Sequence, residues 1–133
     1  MSYSNDEIKV LLQGPGPLRL EGIDLSFADL QDARLNGARL NGANLRKANL
    51  SGAQMQMSNL TRADLMEADL SGAVLLGANL SQAKLIGADL TGADLSLVDL
   101  SGADLIGAKV SNEQLFEAIS IFGAVLPNGK IVK

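Results

Sequence analysis

Eight aspartates each stand one residue before a leucine: Asp24, Asp29, Asp64, Asp69, Asp89, Asp94, Asp99 and Asp104. Carboxylates in such numbers could work as a paired acid and base or hold a hard cation, because Ca2+ and Mg2+ take several oxygen ligands. Little other chemistry is on offer. The chain contains no histidine and no cysteine, and so no side chain whose ordinary pKa lies near neutrality, no imidazole or thiolate ligand, no thiol nucleophile and no disulfide. The remaining candidates are serine and threonine hydroxyls, Lys84, Lys109 and the single tyrosine, Tyr3. A nucleophile needs a base and a pocket, and a phosphate loop needs a helix opening on Gly-Lys-Ser. The sequence supplies neither pattern, so no catalytic residue, cofactor site or metal site is expected, and the protein is read as a non-enzyme.

The aspartates fall on a strict spacing of five, which ties them to an internal repeat rather than to one site. From Leu20 to Val110, the nineteen positions divisible by five are seventeen leucines, Met55 and Val110. Two residues earlier, fifteen of nineteen are alanine, the exceptions being Leu18, Ile23, Ser58 and Val98. Two inward residues separated by one outward residue is strand alternation, which a helical period of 3.6 cannot keep in phase with a period of five. The two residues between units, as in Leu90-Thr91-Gly92-Ala93, form a β-turn. Ten of the eighteen third turn positions are glycine, which takes the positive φ of a type II turn without steric cost. The other eight, Phe27, Asp32, Lys47, Met57, Arg62, Glu67, Gln82 and Leu97, are expected in type I turns. The outward aspartates then read as short polar residues favoured by the repeat, although stacked carboxylates could raise one another's pKa.

The run Ala88 to Leu95, Ala-Asp-Leu-Thr-Gly-Ala-Asp-Leu, resembles the signature of the pentapeptide-repeat family. That resemblance covers residues 18 to 110 and implies an all-β solenoid, a right-handed quadrilateral parallel β-helix of about four to five 20-residue coils, with the handedness taken from the family. It also suggests a bacterial origin, with cyanobacteria as one source. Residues twenty apart should stack into four internal ladders: Leu20, Leu40, Leu60, Leu80 and Leu100; Leu25, Leu45, Leu65, Leu85 and Leu105; Leu30, Leu50, Leu70 and Leu90; and Leu35, Met55, Leu75 and Leu95. A coil rise of ~4.8 Å makes the repeat a rod on the order of 22 Å long.

Three segments follow: 1–17, an N-terminal helix and Gly/Pro connection; 18–110, the repeat; and 111–133, a C-terminal capping helix and extended tail. Open β-helix ends expose unpaired edges, so covers are expected at both. Ser4 with Glu7, and Ser111 with Gln114, are capping-box patterns. The second opens a helix expected to carry Leu115, Ala118, Ile119 and Phe122 on one side and to stop at Gly123. Pro127-Asn128-Gly129 reads as a turn between extended pieces. No apolar run approaches a membrane span, and the start of the chain lacks the pattern of a secretory signal, so a cytoplasmic location is expected.

Two surface features stand out. Met66, Ile86 and Ile106 occupy the first turn position in three successive coils, normally a polar site, and should stack into an apolar strip above Arg46. Met57, Val74, Leu76 and Leu97 also turn outward elsewhere. The second feature is the outward column Asp29, Asn49, Asp69, Asp89 and Lys109. Met66, Ile86, Ile106, Asp29, Asp69 and Asp89 are therefore the candidate interaction surface for a protein partner, with self-association through an end or the strip as a further option. Among relatives of this kind, gyrase-inhibiting and quinolone-resistance members suggest a DNA-mimicking modulator of a type II topoisomerase. The repeat carries eleven acidic and eight basic side chains, however, and so −3 overall, whereas duplex DNA of ~22 Å presents on the order of thirteen negative charges. The acidic balance likewise argues against direct binding of nucleic acid or anionic lipid. Replacing a central leucine, as in Leu70→Asp, should lower the denaturant midpoint far more than any outward substitution, because it places a charge inside the tube.

Overall fold

The computed structural model describes residues 3–133. Its architecture follows from where each pentapeptide sends its backbone N–H groups. In the unit around Leu40, the leucine N–H donates to Asn59 O at 2.7 Å, and Asn59 N donates back to Ala38 O at 2.9 Å. The turn N–H of Gly42 donates to Thr61 O at 2.9 Å, and Ala43 N closes its turn on Leu40 O at 3.0 Å. The pattern recurs along the chain. Parallel bridges join residues twenty apart from Arg19↔Arg39 to Asp89↔Lys109, so four units complete one circuit and the tube has four flat faces.

The turns differ from expectation at eight positions. Phe27, Asp32, Lys47, Met57, Arg62, Glu67, Gln82 and Leu97 all have φ between 57° and 62°, beside 66° to 71° at the ten repeat glycines. A type I turn has negative φ there, so none of the eight is type I. The cause is the stack: the third-position N–H must reach the coil above, as Phe27 N does to Arg46 O at 2.8 Å and Lys47 N to Met66 O at 3.0 Å. Every level therefore repeats one turn shape, and a residue with a Cβ accepts the left-handed region at about 1–2 kcal/mol.

All four expected ladders are buried, from Leu20 through Leu105, with the alanines packed between them. Val98 and Ser58 both occupy buried alanine positions. The Ser58 hydroxyl oxygen has no hydrogen-bond partner among the described residues.

Two helices flank the coils. α1, Asn5–Leu12, starts at the Ser4/Glu7 capping box and buries Ile8 against the core. The Asn5 Oδ1 accepts Asp29 N at 3.3 Å, replacing the carbonyl that a lower coil supplies elsewhere. α2, Asn112–Glu117, begins at the Ser111/Gln114 capping box and buries Leu115. The Gln114 side-chain amide donates to Leu90 O at 2.7 Å and Ala93 O at 2.9 Å, satisfying carbonyls at the upper rim. No helix among the described residues is long and apolar enough to cross a membrane.

α2 is shorter than its sequence pattern suggests, because the chain returns to the tube. Ile119 N donates to Val98 O at 2.9 Å while Leu100 N donates to Ser120 O at 2.8 Å. Two residues thus do what one outward residue does below, a β-bulge, and the next bridge, Asp104↔Val125, spans twenty-one. Gly123 does not terminate a helix. Its φ of 76° places it in a further turn, closed by Ala124 N to Ile121 O at 3.0 Å. Ile119 and Phe122 accordingly point outward and are exposed, instead of sharing a helix face with Leu115 and Ala118. The chain then reverses through Pro127-Asn128-Gly129, and Ile131 pairs antiparallel with Val125.

Ser58→Ala should raise stability by about 1 kcal/mol, since it removes a buried hydroxyl that forms no bond and leaves the residue found above and below at Ala38 and Ala78. Urea unfolding measures this, and a fall in stability would reveal a partner for the hydroxyl.

Candidate interaction surface

Four of the five N–H groups in a unit are bonded within the backbone, and the fifth belongs to the first turn residue. The aspartates accept it. Asp24, Asp29, Asp64, Asp69, Asp89, Asp94, Asp99 and Asp104 each take the N–H two residues ahead at 2.9–3.2 Å. Asn44, Asn49, Asn59 and Asn79 do the same at 2.9–3.2 Å. A short side chain with an oxygen on its γ carbon can bend back over that distance. The column of carboxylates is thus distributed among separate turns, one oxygen of each committed to its own.

Hydrogen bonding also decides the charge state. Asp89 is held below the ordinary carboxylate range, first by the Thr91 hydroxyl, then by the Thr91 N–H, with Lys109 adding attraction. Asp94 is lowered by the Ser96 hydroxyl and N–H, and Asp24 by those of Ser26. The expectation that stacked carboxylates raise one another is therefore reversed at Asp89, which stacks directly on Asp69. Donors at hydrogen-bond distance outweigh a like charge facing water.

On the edge between the Leu25 and Leu30 faces, Met66 and Ile86 are half-buried and Ile106 is 44% exposed. Gly87 and Gly107 follow the two isoleucines, and the Glu67 side chain lies over Gly87, its Cγ 3.4 Å from the place a Cβ there would take. Arg46, below Met66, turns its Nε to Asp64. Lower on this edge lies Phe27, 72% exposed, with Lys47 Nζ 5.6 Å from its ring centre and 3.8 Å from Glu67. Phe27 occupies a third turn position, so attention to the first position alone leaves it out. Asp69 and Asp89 stand half-buried on the adjoining face and Asp29 is exposed. On another edge, Met57, Leu76 and Leu97 are exposed, while Val74 on the face beside it is half-buried.

The family whose model matches the chain is described as "Pentapeptide repeats (8 copies)", and the model matches residues 23–62, 63–102 and 74–112. A search of curated proteins finds no match. Among solved structures, a pentapeptide repeat protein from the cyanobacterium Cyanothece 51142 shares 37% identity over 68% of this chain and 62% of its own, with a TM-score of 0.66. A pentapeptide repeat protein from the Arabidopsis thaliana thylakoid lumen shares 31% over 80% of this chain and 63% of its own, with a TM-score of 0.43. HetL, a pentapeptide repeat protein involved in heterocyst differentiation regulation from Nostoc sp. strain PCC 7120, shares 30% over 87% and 73%, with a TM-score of 0.35. The chain thus spans somewhat under two thirds of the length of the first two relatives.

Depressed carboxyl pKa values contribute stability that is present above the unfolded value and lost as pH falls through the folded one. Stability should therefore decline below about pH 4, and the double substitution Asp89→Asn/Asp94→Asn, which keeps the acceptors but cannot titrate, should flatten that decline. Asp69→Ala should cost about 1 kcal/mol at neutral pH, and Asp69→Asn less. Urea midpoints across pH 3 to 7 check both.

Proposed function

Because the chain belongs to the pentapeptide-repeat family, whose members build a right-handed quadrilateral β-helix, we propose that it is a non-enzymatic interaction module that presents one edge of a rigid solenoid to a protein partner. In this reading residues 18–110 form about four to five coils, while segments 1–17 and 111–133 cover the two ends. The observation that carries it is the Met66, Ile86 and Ile106 strip, apolar at a turn position that every other unit except the one with Leu76 fills with a polar or charged residue. The strip is half-buried at Met66 and Ile86 and exposed at Ile106, and contiguous apolar surface that reaches solvent is typical of interfaces. Asp69 and Asp89 flank the strip on a fixed spacing, so the partner should offer an apolar groove bordered by lysine or arginine. The non-enzymatic part rests on an interior filled by leucine and on turn hydroxyls such as Ser51 and Ser71 engaged with Asn49 and Asp69.

A DNA-mimicking role at a type II topoisomerase has weaker support. The outward columns mix signs, with Arg19, Arg34 and Arg39 at the lower end of two faces, and a phosphate-like track needs continuous negative charge.

Affinity capture from lysate with the parent protein, Ile86→Glu and Asp69→Lys/Asp89→Lys separates these readings. A partner retained by the parent and lost with Ile86→Glu, in a variant of unchanged circular dichroism, is the expected result. Identical capture by all three would remove this edge as the interface, and inhibition of gyrase supercoiling by the purified protein would favour the mimic.

A further inference from the structure

We propose that two copies of this chain pack side by side and antiparallel through the face bearing Arg19, Arg39, Asn59, Asn79 and Asp99, with the two-fold axis passing at Asn59 and Met57. The argument starts from the order of side chains in that column. Successive parallel bridges, Arg19↔Arg39, Arg39↔Asn59, Asn59↔Asn79 and Asn79↔Asp99, place the five residues at consecutive levels. Read from the N-terminal end, the face runs from two guanidiniums through two amides to a carboxylate.

A two-fold axis lying in the plane of contact, perpendicular to the rod, reverses the order of levels in the second copy. It sets Arg19 against the carboxylate of the second copy's Asp99, Arg39 against Asn79, and Asn59 against itself, with each pairing occurring twice except at the axis. Such an isologous interface requires a surface complementary to its own reversal. The other full-length columns fail that requirement. Asp24, Asn44, Asp64, Lys84 and Asp104 would oppose aspartate to aspartate at their ends and centre. Asp29, Asn49, Asp69, Asp89 and Lys109 would do so at the centre.

The same operation keeps each edge on its own side, and so it brings the edge carrying Met57, Leu76 and Leu97 against its copy. Met57 is level with Asn59, stands 70% exposed at a φ of 59°, and would meet Met57 of the second copy on the axis. Leu97, level with Asp99, would meet the Pro17 turn, which stacks beneath Gly37 with its Cβ 3.5 Å from the position a Gly37 Cβ would take. Along the column and the Met57 edge, charge and apolar contact therefore agree on one register. On the opposite edge the operation brings Arg62 toward its own copy, with its Nε turned along the rod to Gln82 Oε1 at 2.9 Å.

The arginines also gain from such a partner. Arg19 and Arg39 are exposed, lie on adjacent strands, and have no carboxylate partner among the described residues. Like charges stacked in this way repel. A face about 20 Å long and about 10 Å wide lies well below the ~800 Å2 per partner of a standard interface. The dimer is therefore weak, forms at high protein concentration and loosens with salt.

The chain has no cysteine, which permits a direct test on the full protein. Sedimentation velocity up to about 0.5 mM at low salt should show a monomer–dimer equilibrium. Under mild oxidation Met57→Cys should form a disulfide-linked dimer, whereas Ile86→Cys, on the far edge, should not. Arg19→Glu and Asp99→Arg should each weaken association by about tenfold or more, and the double exchange Arg19→Glu/Asp99→Arg should restore it. A monomer at every concentration overturns the proposal. So does preferential cross-linking through Ile86→Cys, or a double exchange as weak as either single variant while circular dichroism remains that of the parent. If Asp99→Arg does not fold, Arg19→Glu and the cysteine pair still decide the matter.

Discussion

Five backbone N–H groups per pentapeptide must each find an acceptor, and the rest of the molecule depends on how they do so. The leucine N–H and the third turn N–H donate upward, the outward N–H donates downward, and the N–H of the small residue closes the turn. The first turn N–H is left over. An unsatisfied donor costs about 1–3 kcal/mol when it is shielded from water, a large amount set against the total stability of a domain. Asp or Asn immediately before the leucine supplies the missing oxygen, which is why the outward slot is chemically biased although its side chain faces solvent. The same ledger fixes the turn: unless the third residue adopts positive φ, its N–H cannot point at the carbonyl above.

That constraint separates the informative part of the surface from the rest. An aspartate in the outward slot reports the repeat, because one of its oxygens is already in use by the turn. A departure from Asp or Asn gives up a turn bond unless another group substitutes. Gln54 is one such departure, and there Asn36 reaches up from the coil below to accept Gln56 N at 3.1 Å. Arginine, lysine and valine, at Arg19, Arg34, Arg39, Val74, Lys84 and Lys109, cannot accept at all. Apolar residues in the first turn position depart in a different sense. Met66 and Ile106 keep the backbone bond, to Asp64 and Asp104 at 3.1 Å each, but give up the hydroxyl that Ser71 or Ser101 adds. Leu76 and Ile86 follow Val74 and Lys84 and give up both.

Much of this was legible beforehand because it is periodic. The ladders, the alanine positions and the capping boxes at Ser4 and Ser111 follow from residue type and spacing alone. Glycine was a weaker guide. Its preference for positive φ identified ten turns, but the other eight share the shape for a reason outside the local sequence, namely hydrogen bonds to residues nineteen or twenty positions away. The C-terminal segment misled for a related reason. Leu115, Ala118, Ile119 and Phe122 have helical spacing, yet strand pairing to Val98 and Leu100 outweighs that local preference after Glu117, and one extra residue is absorbed at Ile119 and Ser120. The apolar strip was visible as a pattern. Its partial burial at Met66 and Ile86 was not, since that depends on how long side chains lie across a corner.

A tube with a uniform interior has few ways to become specific. Its four faces share one width and its levels one rise, so neither shape nor depth distinguishes one site from another along the rod. What varies is the order of side chains along each column, and the rigid stack fixes that order in space without further ordering cost on binding. Reversal symmetry then becomes a property that the sequence can hold directly. A column running from arginine through asparagine to aspartate is complementary to its own inverted copy, whereas a column with aspartate at both ends is not. On the Leu20 face the order satisfies that condition at the cost of two turn acceptors and of stacking Arg19 on Arg39. Both costs fall on the isolated chain, and the repulsion between the arginines is relieved only when a carboxylate arrives from outside.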